Sequence, residues 1–95
     1  MLFVIHAYDY TDAQAIERRM AARPAHFNGA RDLKAAGNFV MGGALLDPDD
    51  KMIGSMLVLD FEDEAQVRQW CDNDPYVTGK VWEKIDIKPF RRADI

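Results

Sequence analysis

One histidine and one distant aspartate are the residues of this sequence best suited to moving a proton. His26 follows Arg23 by three residues, and Asp74 opens an Asp-Pro-Tyr turn far downstream. Imidazole has an unperturbed pKa of about 6.5, so it exchanges protons near neutrality. A carboxylate that contacts the ring fixes its tautomer and favours its charged form. The pair therefore predicts general acid/base chemistry if the fold joins it. The alternatives are that His26, alone or paired with Asp74, is a structural residue and that the Asp-Pro sequence is an ordinary turn.

Four further residues are candidates for binding a small molecule beside His26. Ser55 is polar within an otherwise apolar segment, so its buried hydroxyl either bonds the backbone or lines a pocket. Arg19 and Arg23 either hold an anionic group or form salt bridges at a helix surface. Tyr76, two residues after Asp74, is the fourth candidate. No elbow motif surrounds Ser55, so a serine nucleophile is not expected.

Other chemically active side chains fit no recognised site. His6 lies in a predicted strand and shares no metal-ligand spacing with His26, so no metal site is predicted. Cys71 falls on the apolar side of a predicted helix and is interpreted as core. The carboxylates of 47–50 lack a calcium-loop pattern and are interpreted as a hairpin turn. No Gly-rich phosphate loop is present, so no cofactor is predicted.

The apolar pattern predicts the elements that must position these residues. A helix begins near Asp12, with Thr11 or Asp12 as its cap, and continues after Pro24 to about Ala36, where Gly37 stops it. Pro24 is expected to bend or divide this helix.

A second helix starts at the capping box of Asp63 and Gln66 and is followed by a short helical turn over 76–80. The predicted strands are Leu2–Tyr8, Phe39–Leu46, Met52–Phe61 and Glu83–Phe90.

Helical phase predicts how the first helix faces the sheet. At about 100° per residue, an apolar stripe forms, and Arg19 and His26 share its lateral edge. That position predicts a half-buried His26 at the border between helix and sheet. The predicted stripe comprises Ile16, Met20, Phe27 and Ala30.

The order β-α-β-β-α-β is typical of a ferredoxin-like α+β fold, a four-stranded antiparallel sheet with two helices on one face. We interpret residues 1–95 as one domain. Both faces of the first strand are apolar, because Leu2 and Val4 alternate with Phe3 and Ile5. Two helices cover only one sheet face, so we predict a homodimer that packs through the open face. The alternative is a monomer whose C-terminal tail covers that face.

Composition and charge exclude several function classes. The 95 residues are 48% hydrophobic and 29% charged, with a net charge of −4, which is typical of a globular protein. Basic residues are too few and scattered to follow a phosphate backbone, so a nucleic-acid partner is not expected. No apolar stretch approaches the roughly 18 residues of a membrane span, and the N-terminus is interpreted as a strand rather than a signal peptide. The cytoplasm is the default location.

Several segments together resemble the YciI-like, or YCII-related, protein family. The resemblance covers almost the whole chain, and its markers occur in the expected order. It implies a ferredoxin-like fold of the dimeric α/β-barrel type. The segments are 2–9, 17–19 leading to 23–26, 54–55, Trp70, 74–77 and 87–90.

The resemblance also implies a site that pairs His26 with Asp74, with Ser55 as a neighbour in the pocket. One enzyme similar to this family dehydrochlorinates a chlorinated hydroxyhydroquinone with such a pair. This chain departs from many relatives in its compact hairpin over 46–53, so no relative's substrate transfers directly. Two hypotheses follow: a small cofactor-independent enzyme with lyase-like acid/base chemistry on a small metabolite, or a non-catalytic dimeric module that binds one.

Overall fold

The computed structural model, which describes all 95 residues, confirms the ferredoxin-like arrangement of four strands and two main helices. A third, four-residue helix lies just before the last strand, where the short helical turn is predicted. The elements are β1 Leu2–Asp9, α1 Ala15–Ala35, β2 Phe39–Leu46, β3 Met52–Asp60, α2 Glu64–Asp72, α3 Pro75–Thr78 and β4 Trp82–Phe90.

The sheet has the order β2-β3-β1-β4, and all neighbouring strands run antiparallel. Ile5 at the centre of β1 pairs with Leu57 on β3 and Ile87 on β4. Because strand side chains alternate, these residues point to the helix-covered face with Phe3 and Ala7, and all five are buried. The predicted alternation of β1 is therefore confirmed.

The beginning of α1 lies three residues later than predicted. The helix starts at Ala15, with Gln14 at its N-cap and no side-chain cap. The Asp12 carboxylate instead accepts hydrogen bonds from Arg18 at 2.8 Å and from the backbone N–H of Gln14. The bond from Arg18 is the main cause that lowers the pKa of Asp12 to about 2. The helix then continues as one element through Pro24. Proline has no N–H to bond the carbonyl four residues earlier, but Pro24 lies on the exposed side of the helix, where water can reach that carbonyl.

The predicted apolar stripe of α1 is wrong. Ile16, Met20 and Phe27 are 40–46% exposed. The helix turns a different face to the sheet because two polar residues find acidic partners there, as described below. The buried residues of α1 are Ala15, Arg19, His26 and Leu33, and His26 is buried rather than half-buried.

The segment after α2 positions the second half of the site. Asp63 caps α2, as predicted, by accepting a hydrogen bond from the backbone N–H of Gln66. The side-chain oxygen of Gln66 in turn accepts from the backbone N–H of Glu62. Asp74 caps α3 in the same manner, by accepting from the Tyr76 amide at 3.0 Å. This capping bond fixes the direction of the Asp74 carboxylate.

The second face of the sheet carries no helix. Val4 and Val58 pair across β1 and β3 on this face, and Met41 pairs with Val58 from the edge strand. Tyr8 and Met41 are 47% and 54% exposed there. None of the three helices combines the length and the apolar character that a membrane-spanning helix needs.

Candidate active site

His26 and Asp74 meet at the contact between α1 and α3. The His26 Nδ1 atom lies 2.7 Å from Asp74 Oδ2, and the two side chains are only 8% and 1% exposed. The same Oδ2 accepts the Tyr76 amide. Two hydrogen bonds therefore converge on one carboxylate oxygen and hold it against the imidazole.

A glycine ends α3 where its last turn leaves no room for a side chain. Gly79 is the C-cap, and a Cβ built there would lie 2.7 Å from the Pro75 carbonyl oxygen of the same turn. The same Cβ would lie 3.6 Å from the Ala22 Cβ of α1, which is an ordinary van der Waals contact. A larger residue at this position would therefore distort the turn that follows Asp74.

Tyr76 lies between His26 and Arg19 in a buried stack. Its ring is 3.8 Å from the His26 ring centroid at an interplanar angle of 13°, and the Arg19 Cζ lies 4.9 Å from its centroid. Burial raises the pKa of Tyr76 above its ordinary value, so the phenol stays protonated at neutral pH. The stack fixes both the imidazole plane and the guanidinium.

Arg19 is the centre of a second polar cluster. Its Nη1 donates to both carboxylate oxygens of Asp9 at 2.9 Å, and its Nη2 donates to Ser55 Oγ at 2.9 Å. The Trp82 indole donates to the same Oγ at 3.1 Å. Burial raises the pKa of Asp9, and the bonds from Arg19 oppose that shift. Arg19 Nε is the one buried side-chain nitrogen without a hydrogen-bond partner.

A cavity of about 210 Å³ opens between α1 and the β2–β3 hairpin, beside both clusters. Its size suits a molecule of about one ring, smaller than the usual drug-sized pocket. Arg23 stands at the wall with its Cζ 4.7 Å from the Phe27 ring centroid, and it forms no salt bridge. No acidic residue lines the cavity. The full lining is Arg19, Arg23, His26, Phe27, Ala30, Phe39, Gly42, Gly43, Ala44, Met52, Ser55, Leu57 and Tyr76.

The structure brings the candidate residues together around this cavity. Five of the six line it, namely Arg19, Arg23, His26, Ser55 and Tyr76, and Asp74 lies directly behind His26. Their roles in binding or catalysis stay predictions.

Sequence reasoning missed Asp9 and Trp82 as site residues. Strand alternation offered a signal for Asp9, because it shares the inward face of β1 with Ile5 and Ala7 and so needs a cationic partner. Nothing in the sequence marked the bond from Trp82 to Ser55.

The remaining candidates lie elsewhere. His6 is on the open sheet face, opposite His26. Cys71 is in the core, as predicted, and burial raises the pKa of its thiol to about 12. Asp47 accepts the backbone amides of Asp49 and Lys51, which makes 47–50 a hairpin turn.

Comparison with known proteins gives a family and a fold. A family model described as the YCII-related domain matches residues 1–91. Protein YciI of Escherichia coli O6:H1 is 34% identical over 99 residues, covering 98% of this chain and 99% of the relative.

Solved structures agree with the fold. The 5-chloro-2-hydroxyhydroquinone dehydrochlorinase of Burkholderia phenoliruptrix AC1100, in complex with 2,5-dihydroxybenzoquinone, superposes with a TM-score of 0.84 at 24% identity. It covers 98% of this chain and 96% of its own. A dimeric ferredoxin-like protein of unknown function from Jannaschia sp. CCS1 has a TM-score of 0.55 at 12% identity, over 96% and 98% of the two chains.

Proposed function

This chain belongs to the YCII-related family, and on that premise we propose that it is a small cofactor-independent enzyme in which His26 exchanges a proton with a small molecule in the cavity. The observation that carries the proposal is the 2.7 Å bond between His26 and Asp74 at the cavity wall. A buried imidazole oriented by a carboxylate is the arrangement that general acid/base catalysis uses.

The bond to Asp74 determines which ring nitrogen is the base. A carboxylate can only accept hydrogen bonds, so Nδ1 of His26 carries the hydrogen. Nε2 is then the nitrogen free to take a proton. When it does so, the negative carboxylate and the stacked face of Tyr76 stabilise the imidazolium.

The surroundings favour a substrate that becomes negatively charged. In the proposed step, Nε2 removes a proton from the substrate, and the electron pair left behind either forms an enolate or expels a leaving group. Arg23 has no carboxylate partner and stands at the same cavity, so it can attract the anion. The reaction class is therefore proton transfer or elimination on a small, enol-forming molecule.

Ligand binding at His26 tests this proposal. The structural neighbour's ligand, 2,5-dihydroxybenzoquinone, is a suitable first probe, followed by other one-ring enolic and phenolic compounds. We expect such compounds to shift the NMR signals of the His26 ring. His6 is the internal control, because it lies on the other side of the sheet and should not respond.

Two results would revise the proposal. If no compound of the panel shifted the His26 signals, this result would contradict a ligand site at His26. Binding without turnover of any bound compound would instead favour the non-catalytic module.

We also propose that two copies associate through the open sheet face. Its centre is apolar, and a neighbour with this fold is described as dimeric. A second copy would remove the exposed Tyr8 and Met41 side chains from water. The apolar side chains of this face are Leu2, Val4, Tyr8, Met41, Leu45, Met56, Val58 and Phe90.

The mass in solution tests this interface. By sedimentation equilibrium we expect twice the chain mass of 10.8 kDa. Val4→Asp places a charge at the centre of the face and should give the single-chain mass. Met20→Asp is the matched control on the outer side of α1, and it should leave the mass unchanged. If Met20→Asp gave the single-chain mass and Val4→Asp did not, the interface would lie on α1 instead.

A further inference from the structure

The hydroxyl of Ser55 receives two hydrogen bonds whose direction is not ambiguous. Arg19 Nη2 lies 2.9 Å from Ser55 Oγ, and Trp82 Nε1 lies 3.1 Å from it. Guanidinium and indole nitrogens only donate, whereas a hydroxyl has two acceptor lone pairs and one hydrogen. Both lone pairs of Oγ are therefore occupied, and the hydrogen is the only bonding capacity left.

That hydrogen has no acceptor within the chain. Ser55 takes part in no side-chain hydrogen bond other than the two that it accepts. It is buried, and it lines the cavity that His26 and Arg23 also line. A buried donor without an acceptor is costly, so a partner in the cavity would be favourable.

We propose that Ser55 is a fixed hydrogen-bond donor that recognises an electron-rich oxygen of the ligand, such as a carbonyl, enolate or phenolate oxygen. This inference rests on the proposed function, because it assigns the ligand class of the same cavity. Ser55 cannot accept a third hydrogen bond, so the cavity discriminates against a ligand that presents a donor at that point. No acidic side chain lines the cavity, so nothing there repels an electron-rich oxygen of the ligand.

The two bonds that Ser55 accepts also suit it to a charge that grows during reaction. A hydroxyl that accepts from a cation is polarised and becomes a stronger donor. When His26 removes a proton from the carbon adjacent to the carbonyl carbon, the electron pair forms a C=C bond and the carbonyl pair moves onto the bound oxygen. The Ser55 hydrogen then stabilises the anion until His26 returns the proton or a leaving group departs with the pair. Because its lone pairs are engaged, Ser55 is not positioned as a nucleophile.

Two probes of equal shape and opposite polarity test the assignment. Pentafluorophenol is ionised in mildly alkaline buffer and presents an oxyanion, whereas pentafluoroaniline presents an amine with N–H donors. Fluorine NMR measures the affinity of each, and the His26 ring signals show whether it binds in the cavity. We expect the wild-type protein to bind the phenolate at least about tenfold more tightly than the aniline.

Two variants separate the role of Ser55 from the general attraction of Arg23. Ser55→Ala should remove most of the preference by weakening the phenolate roughly tenfold and leaving the aniline little changed. Trp82→Phe keeps the serine and the cavity lining but frees one lone pair, so the aniline should gain affinity while the phenolate changes little. Trp82→Phe also provides the test if Ser55→Ala fails to fold, because that alanine leaves Arg19 and Trp82 donors unpaired.

The outcomes distinguish this inference from the proposed function. Equal binding of both probes at His26, or a preference that neither variant alters, would overturn the donor role of Ser55 and leave the cavity as a ligand site. If neither probe perturbs His26 while a compound of the earlier panel does, the donor role is again wrong. If nothing perturbs His26, both proposals fail.

Discussion

We expect Arg19→Met to lower the free energy of unfolding by about 3–5 kcal/mol at neutral pH, the usual cost of breaking a buried ion pair by removing one partner. Arg19 and Asp9 are almost fully buried, with side-chain exposures of 3% and 7%. Methionine fills similar space but leaves the Asp9 carboxylate without a cation. Urea denaturation, with the slope checked for two-state behaviour, measures the loss.

The pH dependence and a double variant identify the cause of this loss. Burial already raises the pKa of Asp9, and removing Arg19 removes the groups that oppose the shift. A carboxyl whose folded pKa exceeds its unfolded value binds its proton more tightly when folded, so the penalty should be full above the folded pKa and shrink as pH falls through it. Arg19→Met/Asp9→Leu removes both charges and should recover most of the stability. A loss below about 1 kcal/mol would mean that the pair behaves like a surface salt bridge.

Local patterns were sufficient to predict most of the fold. Strand alternation placed Phe3 and Ile5 on one face of β1, which the structure shows to be the core face, and the capping residues Asp63 and Gln66 marked the start of α2. These signals depend on neighbours only a few residues apart, so they survive in the folded chain.

The buried face of α1 could not be predicted from the apolar pattern of the helix. Hydrophobicity favoured Ile16 and Met20 as inward residues, but the helix buries Arg19 and His26. Each of these has its acidic partner on a different element, Asp9 on β1 and Asp74 at the start of α3. A buried ion pair between distant segments reverses the usual preference for apolar residues, and one sequence does not reveal which charges will meet.

The sequence predicted six residues around the cavity, but it missed Asp9 and Trp82 and did not reveal the hydrogen bonds that join these residues. His26 and Asp74 are 48 positions apart, and their contact depends on the cap of α3, which fixes the direction of the Asp74 carboxylate. The resemblance to a family supplied the pairing before the geometry did. The donor polarity of Ser55 follows only from the two atoms that bond it, which no sequence pattern specified.

The largest effect on activity should come from His26→Asn. Asparagine can place an amide nitrogen near the position of Nδ1 and keep the bond to Asp74, but it has no counterpart of Nε2. With any compound that the wild-type protein turns over, we expect kcat to fall about 10²- to 10⁴-fold, the usual contribution of a positioned general acid or base. The thermal unfolding midpoint of the variant shows that the fold is retained.

Asp74→Asn should have a smaller effect, because it removes the charge and can keep the geometry. The bonds from His26 and from the Tyr76 amide both converge on Oδ2, so an amide oxygen in that place can accept both. Only the charge-assisted part of the bond is then lost, about 1–1.5 kcal/mol, or roughly five- to tenfold in rate. Nitrogen-15 shifts of the ring should still show the hydrogen on Nδ1. A loss as large as that of His26→Asn, with the hydrogen moved to Nε2, would mean that the amide has turned its nitrogen towards the ring, whereas unchanged turnover in both variants would make the pair structural.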